Sequence, residues 1–377
     1  MSTQPVLDFL HQLELPLFGG LFLAAASSSL LHQYGRVLGC SGALHTVFSG
    51  SYEPTQAALA LGLTAGGTAI RIASPFLERS LTRTFFDTSL VLNVNSWNAV
   101  LFLGLSGWLV GAGSKLASGC TSGHMLCGIA RGSKRSLIAT IVFFPIAIFT
   151  HRCLKPVLSV LHLFPDPSPF LIRAMKPIAP LALLLLGSPY ILYLLLALSL
   201  PAERLSFLRI TLLGATFASG LALAGMTRPS VVLGFFDFPL PSWNPSLLGV
   251  AVAGLGVNIL IYAFAVRGRV RNWTEATKKL SDTAAEAESA AEVLVEVVTR
   301  HAPLCAPRSG WRLPELSNTT IDCRLIGGSA LFGIGWGLAG VCPGPAFVAF
   351  GAYPFSIGMW SWLLGFFVSD KVLDRLL

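Results

Sequence analysis

The chain has 377 residues, of which 53% are apolar and only 12% charged, with a formal net charge of +8. Soluble domains carry about 25% charged residues, so this chain has too few charges to face water over its whole surface. That excludes a disordered chain, a coiled coil and an ordinary cytosolic enzyme. A mean hydropathy of +0.69 defines a polytopic membrane protein, with the plasma membrane as its expected location. The basic excess fits cytoplasmic loops that face an anionic leaflet. Its basic residues are scattered between apolar stretches, so the expected surrounding is a lipid bilayer and not nucleic acid.

Asp8 and Glu14 precede the first apolar run and no basic leader stands before it. A retained first helix is therefore expected, not a cleaved signal. A membrane span needs roughly 20 apolar residues. Such stretches fall at about 15–33, 54–73, 95–117, 136–152, 177–200, 205–226, 246–266, 325–340 and 355–370. Shorter apolar pieces at 38–48, 121–131, 229–238 and 343–353 read as half-helices or re-entrant segments. The expected fold is an all-α polytopic membrane protein with about nine transmembrane helices plus these short pieces. Residues 267–324 are the only long hydrophilic stretch. Their Ala/Glu-rich core predicts helix and their Pro-rich flank predicts irregular chain, together a solvated linker.

An internal repeat organises the rest. Residues 111–120 read GAGSKLASGC and residues 333–342 read GIGWGLAGVC, both fitting G-x-G-x-x-L-A-x-x-C at an offset of 222. Upstream, RVLGCSG at 36–42 matches VVLGFFD at 231–237 at an offset of 195, with Phe235 where the first copy has Cys40. Two halves with broken hydrophobic segments at matching positions mark a transporter whose site lies at the repeat interface. The expected division is a first half at 1–200, a second half starting at 201–266 and ending at 325–377, and the insertion 267–324 between them.

The chemistry concentrates in GAGSKLASGCTSGHMLCGIARG, residues 111–132. Glycines at intervals of four let helix backbones approach closely; Gly107 with Gly111, and Gly333 with Gly337, read as packing. Packing does not account for Cys120, Thr121, Ser122 and His124, with Gly119 and Gly123 among them. Ser and Thr favour helix N-caps, so a new half-helix is expected here, its N–H groups and positive dipole end offering an anion site. GVCPGPAF repeats the arrangement, with Cys342 and Gly344 beside prolines that suit a first helical turn. A thiol is small, polarizable and a weak donor, suited to a soft sulfur atom or a weakly hydrated oxyanion. Lys115 lies in an otherwise apolar helix, where a charge is a functional candidate or a snorkelling side chain. Arg36 and Arg228 border the other two turns and are placed to attract anions. Cys120, His124 and Cys127 lack a fourth ligand, so no metal is expected; no phosphate loop, carboxylate pair or catalytic triad is visible, and no cofactor is expected.

The segment GSKLASGCTSGHMLCGIARGSKRS, with VLGCSGAL, GMTRPSVVLGFFDF and GIGWGLAGVCPGPAF in the same order, resembles the YeeE/YedE family of membrane sulfur transporters. The resemblance covers nearly the whole chain. It implies thiosulfate import through two pseudo-symmetric halves pinched at the middle, with Cys40, Cys120 and Cys342 along the path and a basic residue at Lys115. It also implies a cytoplasmic sulfurtransferase partner, which no residue of this sequence indicates. The 267–324 insertion departs from the pattern. The rival readings are a channel or carrier for sulfite, sulfate or a selenium analogue, a membrane thiol-dependent sulfurtransferase, and a structural subunit. The basic clusters Arg131, Lys134, Arg135 and Arg267, Arg269, Arg271 are expected on the cytoplasmic side.

Overall fold

Glycine, serine and proline interrupt the apolar runs at four places, and each interruption turns a long helix into a short one. The computed structural model describes residues 4–87, 97–160, 179–201, 204–240, 242–283, 288–305, 310–314 and 320–376. Helix α1 (Gln4–Tyr34) ends at Gly35, whose φ is +63°, and α2 (Cys40–Ser49) follows. Helix α3 (Pro54–Leu81) starts with proline in its first turn and Glu53 accepting from the Gln56 N–H, a cap plus a pre-set φ. Helix α4 (Trp97–Ala117) ends at Ser118 with φ +61°. A π-helix (Ser122–Gly128), a 3-10 turn (Ile129–Arg131) and α5 (Lys134–Val160) come next.

After α6 (Ala179–Ser199) the order recurs. Helix α7 (Ser206–Ala224) ends at Gly225, φ +77°, before the short α8 (Pro229–Phe236). The long α9 (Leu247–Leu280) contains two π-segments and runs on into the polar segment Arg267–Thr283. Beyond α10 (Glu288–His301), α11 (Cys323–Ala339) stops at Gly340, φ +67°, before α12 (Pro343–Ala352) and α13 (Ile357–Leu376). Three of the four breaks use glycine, which reaches the left-handed region without a Cβ penalty.

Among the described residues eight stretches are long and apolar enough to cross a membrane, and the chain is an integral, multi-pass, all-α membrane protein. That count takes Cys323–Ala352 as one stretch, although it breaks between α11 and α12. Helix α13 is a ninth long helix among the described residues, its end crowded by Asp370, Lys371, Asp374 and Arg375.

Small residues set how these helices meet. Helix α4 packs on α13 and α11, α3 on α7, α1 on α7, and α11 on α5. A Cβ at Gly107 would run into the carbonyl oxygen of Trp362, and one at Gly365 into that of Gly104. Helices α4 and α13 thus approach backbone to backbone, running parallel. Gly107→Val is expected to push them apart at a cost of about 1–3 kcal/mol or more, read as a lower unfolding temperature in detergent. An unchanged unfolding temperature would remove this account of the interface. Gly113 against Phe332 and Gly335 against Ser106 run α4 antiparallel to α11, and Gly19 against Gly220 and Ala224 does the same for α1 and α7. Gly333 on Phe143 and Gly337 on Ala147 run α5 parallel to α11.

The insertion differs from the expected solvated linker. Trp311 and Leu313 are buried with Val266 and Val270 against Leu31 of α1. The Cys305 N–H donates to the Gln33 carbonyl, and the Arg312 N–H to that of Gly35 at 3.0 Å. The Trp311 indole donates to the His301 carbonyl at 3.0 Å. Apolar residues inside a hydrophilic segment dock its described parts onto the end of α1.

Candidate functional site

Three short helices begin at one place. Cys40 is the first residue of α2, Cys342 is the N-cap of α12, and Cys120 lies just before the π-helix. All three cysteines are buried. The Thr121 hydroxyl donates to the Cys342 sulfur at 3.7 Å, Ser122 Oγ lies 3.3 Å from the Cys120 sulfur, and the Cys40 N–H donates to Ser122 Oγ at 3.2 Å. A Cβ on Gly344 would sit 3.2 Å from the Cys40 sulfur, so only glycine leaves that approach open. No side chain caps any of these helix starts.

Cys40, Thr121, Ser122, Cys342 and Gly344 line a cavity of about 60 Å3, closed otherwise by apolar side chains such as Phe217, Leu221 and Met226. A water needs on the order of 10–15 Å3 on this scale, so the space suits a few water-sized groups. Helix starts supply N–H donors and a positive dipole end, and Thr121 and Ser122 supply hydroxyls. The surface the cavity presents is apolar, because the Thr121 hydroxyl is turned to the Cys342 sulfur and Ser122 Oγ lies against Cys120 and the Cys40 N–H; an anion there would have to draw these hydroxyls toward itself.

The other sequence candidates lie elsewhere. His124 is buried, with Nδ1 3.1 Å from Ser136 Oγ and Nε2 3.2 Å from the Ala117 carbonyl. Both ring nitrogens are satisfied, and His124 does not line the cavity. Gly119 packs on the His124 ring, and nothing lies within 4 Å of a Cβ built on Gly123. Arg36 pairs with Glu53 at 3.2 Å, and the buried Arg228 pairs with Asp87 at 2.9 Å. Neither arginine reaches the cavity. Lys115 is no isolated charge; its ammonium lies 2.7 Å from Asp370 and also binds Asp374. Among the described residues, no group of three or more His, Cys, Asp or Glu side chains is placed to hold a metal.

Lys115 and its partners belong to a second, polar space of about 360 Å3. Its lining includes Ser41, His45, Ser114, Ser118, Asp370 and Asp374. Ser41 and Gly119 on this wall directly adjoin Cys40 and Cys120 in the chain. The sequence reading missed His45 and Asp370. Their only signal was a histidine and an aspartate inside apolar runs 325 residues apart, in GALHTV and FFVSDK contexts that no spacing rule connects.

Comparison with known proteins then gives the class. A model described as a family of unknown function, DUF6691, matches residues 205–295 and 291–359. A "Probable transporter" from Xylella fastidiosa strain 9a5c is 33% identical over 128 residues, covering 34% of this chain and 84% of that protein. A second from the same strain is 30% identical over 166 residues, 44% of this chain and 89% of that protein. No solved structure matches the chain significantly. The chain belongs to the family of these probable transporters.

Proposed function

We propose that this protein imports thiosulfate, or a closely related small sulfur oxyanion, across the plasma membrane. The observation that carries the reading is the meeting of three short-helix starts at one small cavity, which Cys40 and Cys342 line while Cys120 lies beside it against Ser122. Thiolates there would repel the cargo, so the thiols act as neutral S–H donors. Thiosulfate offers both a soft terminal sulfur for such contacts and oxygens for the hydroxyls of Thr121 and Ser122. Several weak contacts in series suit passage, because the ion must bind well enough to enter and loosely enough to leave.

We read residues 1–200 as one half, and 201–266 with 325–377 as the other, the two inserted in opposite senses. The antiparallel pairs α1 with α7 and α4 with α11 support this, and in such folds the substrate site lies at the junction. The basic clusters before α5 and at Arg267–Arg271 stand at the same end of the bundle, which supports a cytoplasmic placement for that end.

The test is uptake of labelled thiosulfate by a sulfur-auxotrophic host, with unlabelled sulfite, sulfate and selenite as competitors. Thiosulfate is expected to enter and to be displaced best by itself. Absence of uptake at verified membrane expression would sink the reading, and strong displacement by sulfite or sulfate would move it to the rival anion.

A further inference from the structure

We infer that His45 and Asp370 form a proton-binding site whose occupancy controls passage of the anion through the polar vestibule; the consequence for uptake rests on the transport reading above, the proton site itself does not. His45 lies on α2, one turn beyond Cys40. Its Nδ1 is 2.7 Å from Asp370 Oδ1 and its Nε2 is 3.0 Å from Ser114 Oγ. Asp370 is fully buried, and its second oxygen, Oδ2, has no hydrogen-bond partner. A buried carboxylate oxygen left without a donor is costly, and it marks a group that does more than close a salt bridge.

The charge count points to the proton. Helix α13 contributes Asp370 and Asp374, α4 contributes Lys115, and α2 contributes His45. Helix α12, also packed on α13, carries no ionisable side chain. Lys371 of α13 lies over the Phe367 ring. With His45 neutral, the two carboxylates outweigh Lys115 and the cluster carries one negative charge. One proton on His45 makes it neutral. Histidine is the side chain that changes charge between about pH 5 and 8. A metal cation would have to sit against the Lys115 ammonium, so a proton is the better occupant.

The hydrogen bonds allow the change without loss. Facing a carboxylate, Nδ1 carries the hydrogen, so neutral His45 accepts at Nε2 from the Ser114 hydroxyl. When Nε2 takes a proton from vestibule water it becomes a donor to Ser114 Oγ. The Ser114 hydrogen then turns to the Gly111 carbonyl, 3.1 Å away. Both His45 nitrogens and the Ser114 hydroxyl keep a partner in both states. A dianion passing Ser118 and Gly119 on the vestibule wall meets one negative charge fewer when His45 is protonated.

The prediction has opposite signs for two variants, which a merely structural role does not produce. In proteoliposomes with equal pH on both sides, wild-type thiosulfate uptake is expected to fall about five- to tenfold between pH 5.5 and 8.5. That is the scale of one unit charge acting on a dianion at about 8 Å through water. His45→Gln, fixed at one negative charge, should be slow and flat with pH. Asp374→Asn, which removes the partly exposed carboxylate and leaves the buried pair intact, should be faster at every pH and keep the wild-type slope. A flat wild-type profile, a His45→Gln variant that retains the wild-type slope, or an Asp374→Asn variant no faster than wild type would overturn the proposal. Nuclear magnetic resonance of imidazole-labelled protein reads the site without transport: one signal, absent in His45→Gln, should move with pH. A His45 signal that does not titrate overturns the site even if no thiosulfate moves, whereas titration without uptake faults only the transport reading.

Discussion

Cys120→Ala is expected to lower thiosulfate uptake roughly 5- to 100-fold at matched membrane expression, from loss of a donor that costs about 1–3 kcal/mol when removed from a buried polar contact. Its sulfur sits 3.3 Å from Ser122 Oγ, and Ser122 also receives the Cys40 N–H. Removing the thiol therefore disturbs two of the three helix starts at once. Cys40→Ala and Cys342→Ala should show losses of the same order. Cys153, exposed on α5, is the internal control, and Cys153→Ala should behave as wild type. Uptake that survives all three buried replacements would leave the path without its thiol mechanism. Serine at Cys120 separates donor from sulfur: recovery with serine would assign the role to hydrogen bonding, and failure to recover would assign it to the larger, softer atom.

Asp87→Asn is expected to give the largest loss of stability of any single polar replacement discussed, about 3–5 kcal/mol, the scale for removing one partner of a buried ion pair. Both side chains of the Asp87–Arg228 pair are 6% exposed. Asp87 also accepts the Ser230 N–H at 2.8 Å, so one carboxylate neutralises the guanidinium and caps the start of α8. The Thr227 hydroxyl fastens the same turn to the Phe85 carbonyl. The measurement is the unfolding temperature of purified protein in detergent. A fall that Asp87→Glu restores would support the ion pair, and a change within error would remove it. The pair accounts for Arg228 as a fastening of the third break.

Much of this fold was legible because bilayer thickness fixes helix length, and because glycine and proline are visible where helices end. The short pieces expected at 38–48, 121–131, 229–238 and 343–353 correspond to α2, the π-helix with its 3-10 turn, α8 and α12. The meeting of Cys40, Cys120 and Cys342 follows from matching breaks, and the motif offsets carried that information. Side-chain direction was not legible. His124 sits three residues after Thr121, yet its ring turns to Ser136, because the π-helix changes the angular step between residues. Lys115 and Arg36 read as free charges since their partners, Asp370 and Glu53, lie on other elements. Asp370 drew no reading from the sequence; only the packing of α2 and α4 on α13 places His45 and Lys115 beside it.

Helix α6 makes little contact with the cysteine cavity, and its value is one of parity. Among the described residues before it, α1, α3, α4 and α5 are four helices long and apolar enough to cross, an even number that returns the chain to the side where it started. A chain resuming there would insert α7 in the same sense as α1. One further crossing, the 21-residue α6 packed on α7, makes the number odd, so α7 enters from the opposite face. The antiparallel meeting of α1 with α7 follows from that single added helix. Deleting α6 should therefore reverse the insertion of everything after it, a change in topology that no substitution in the cavity would produce.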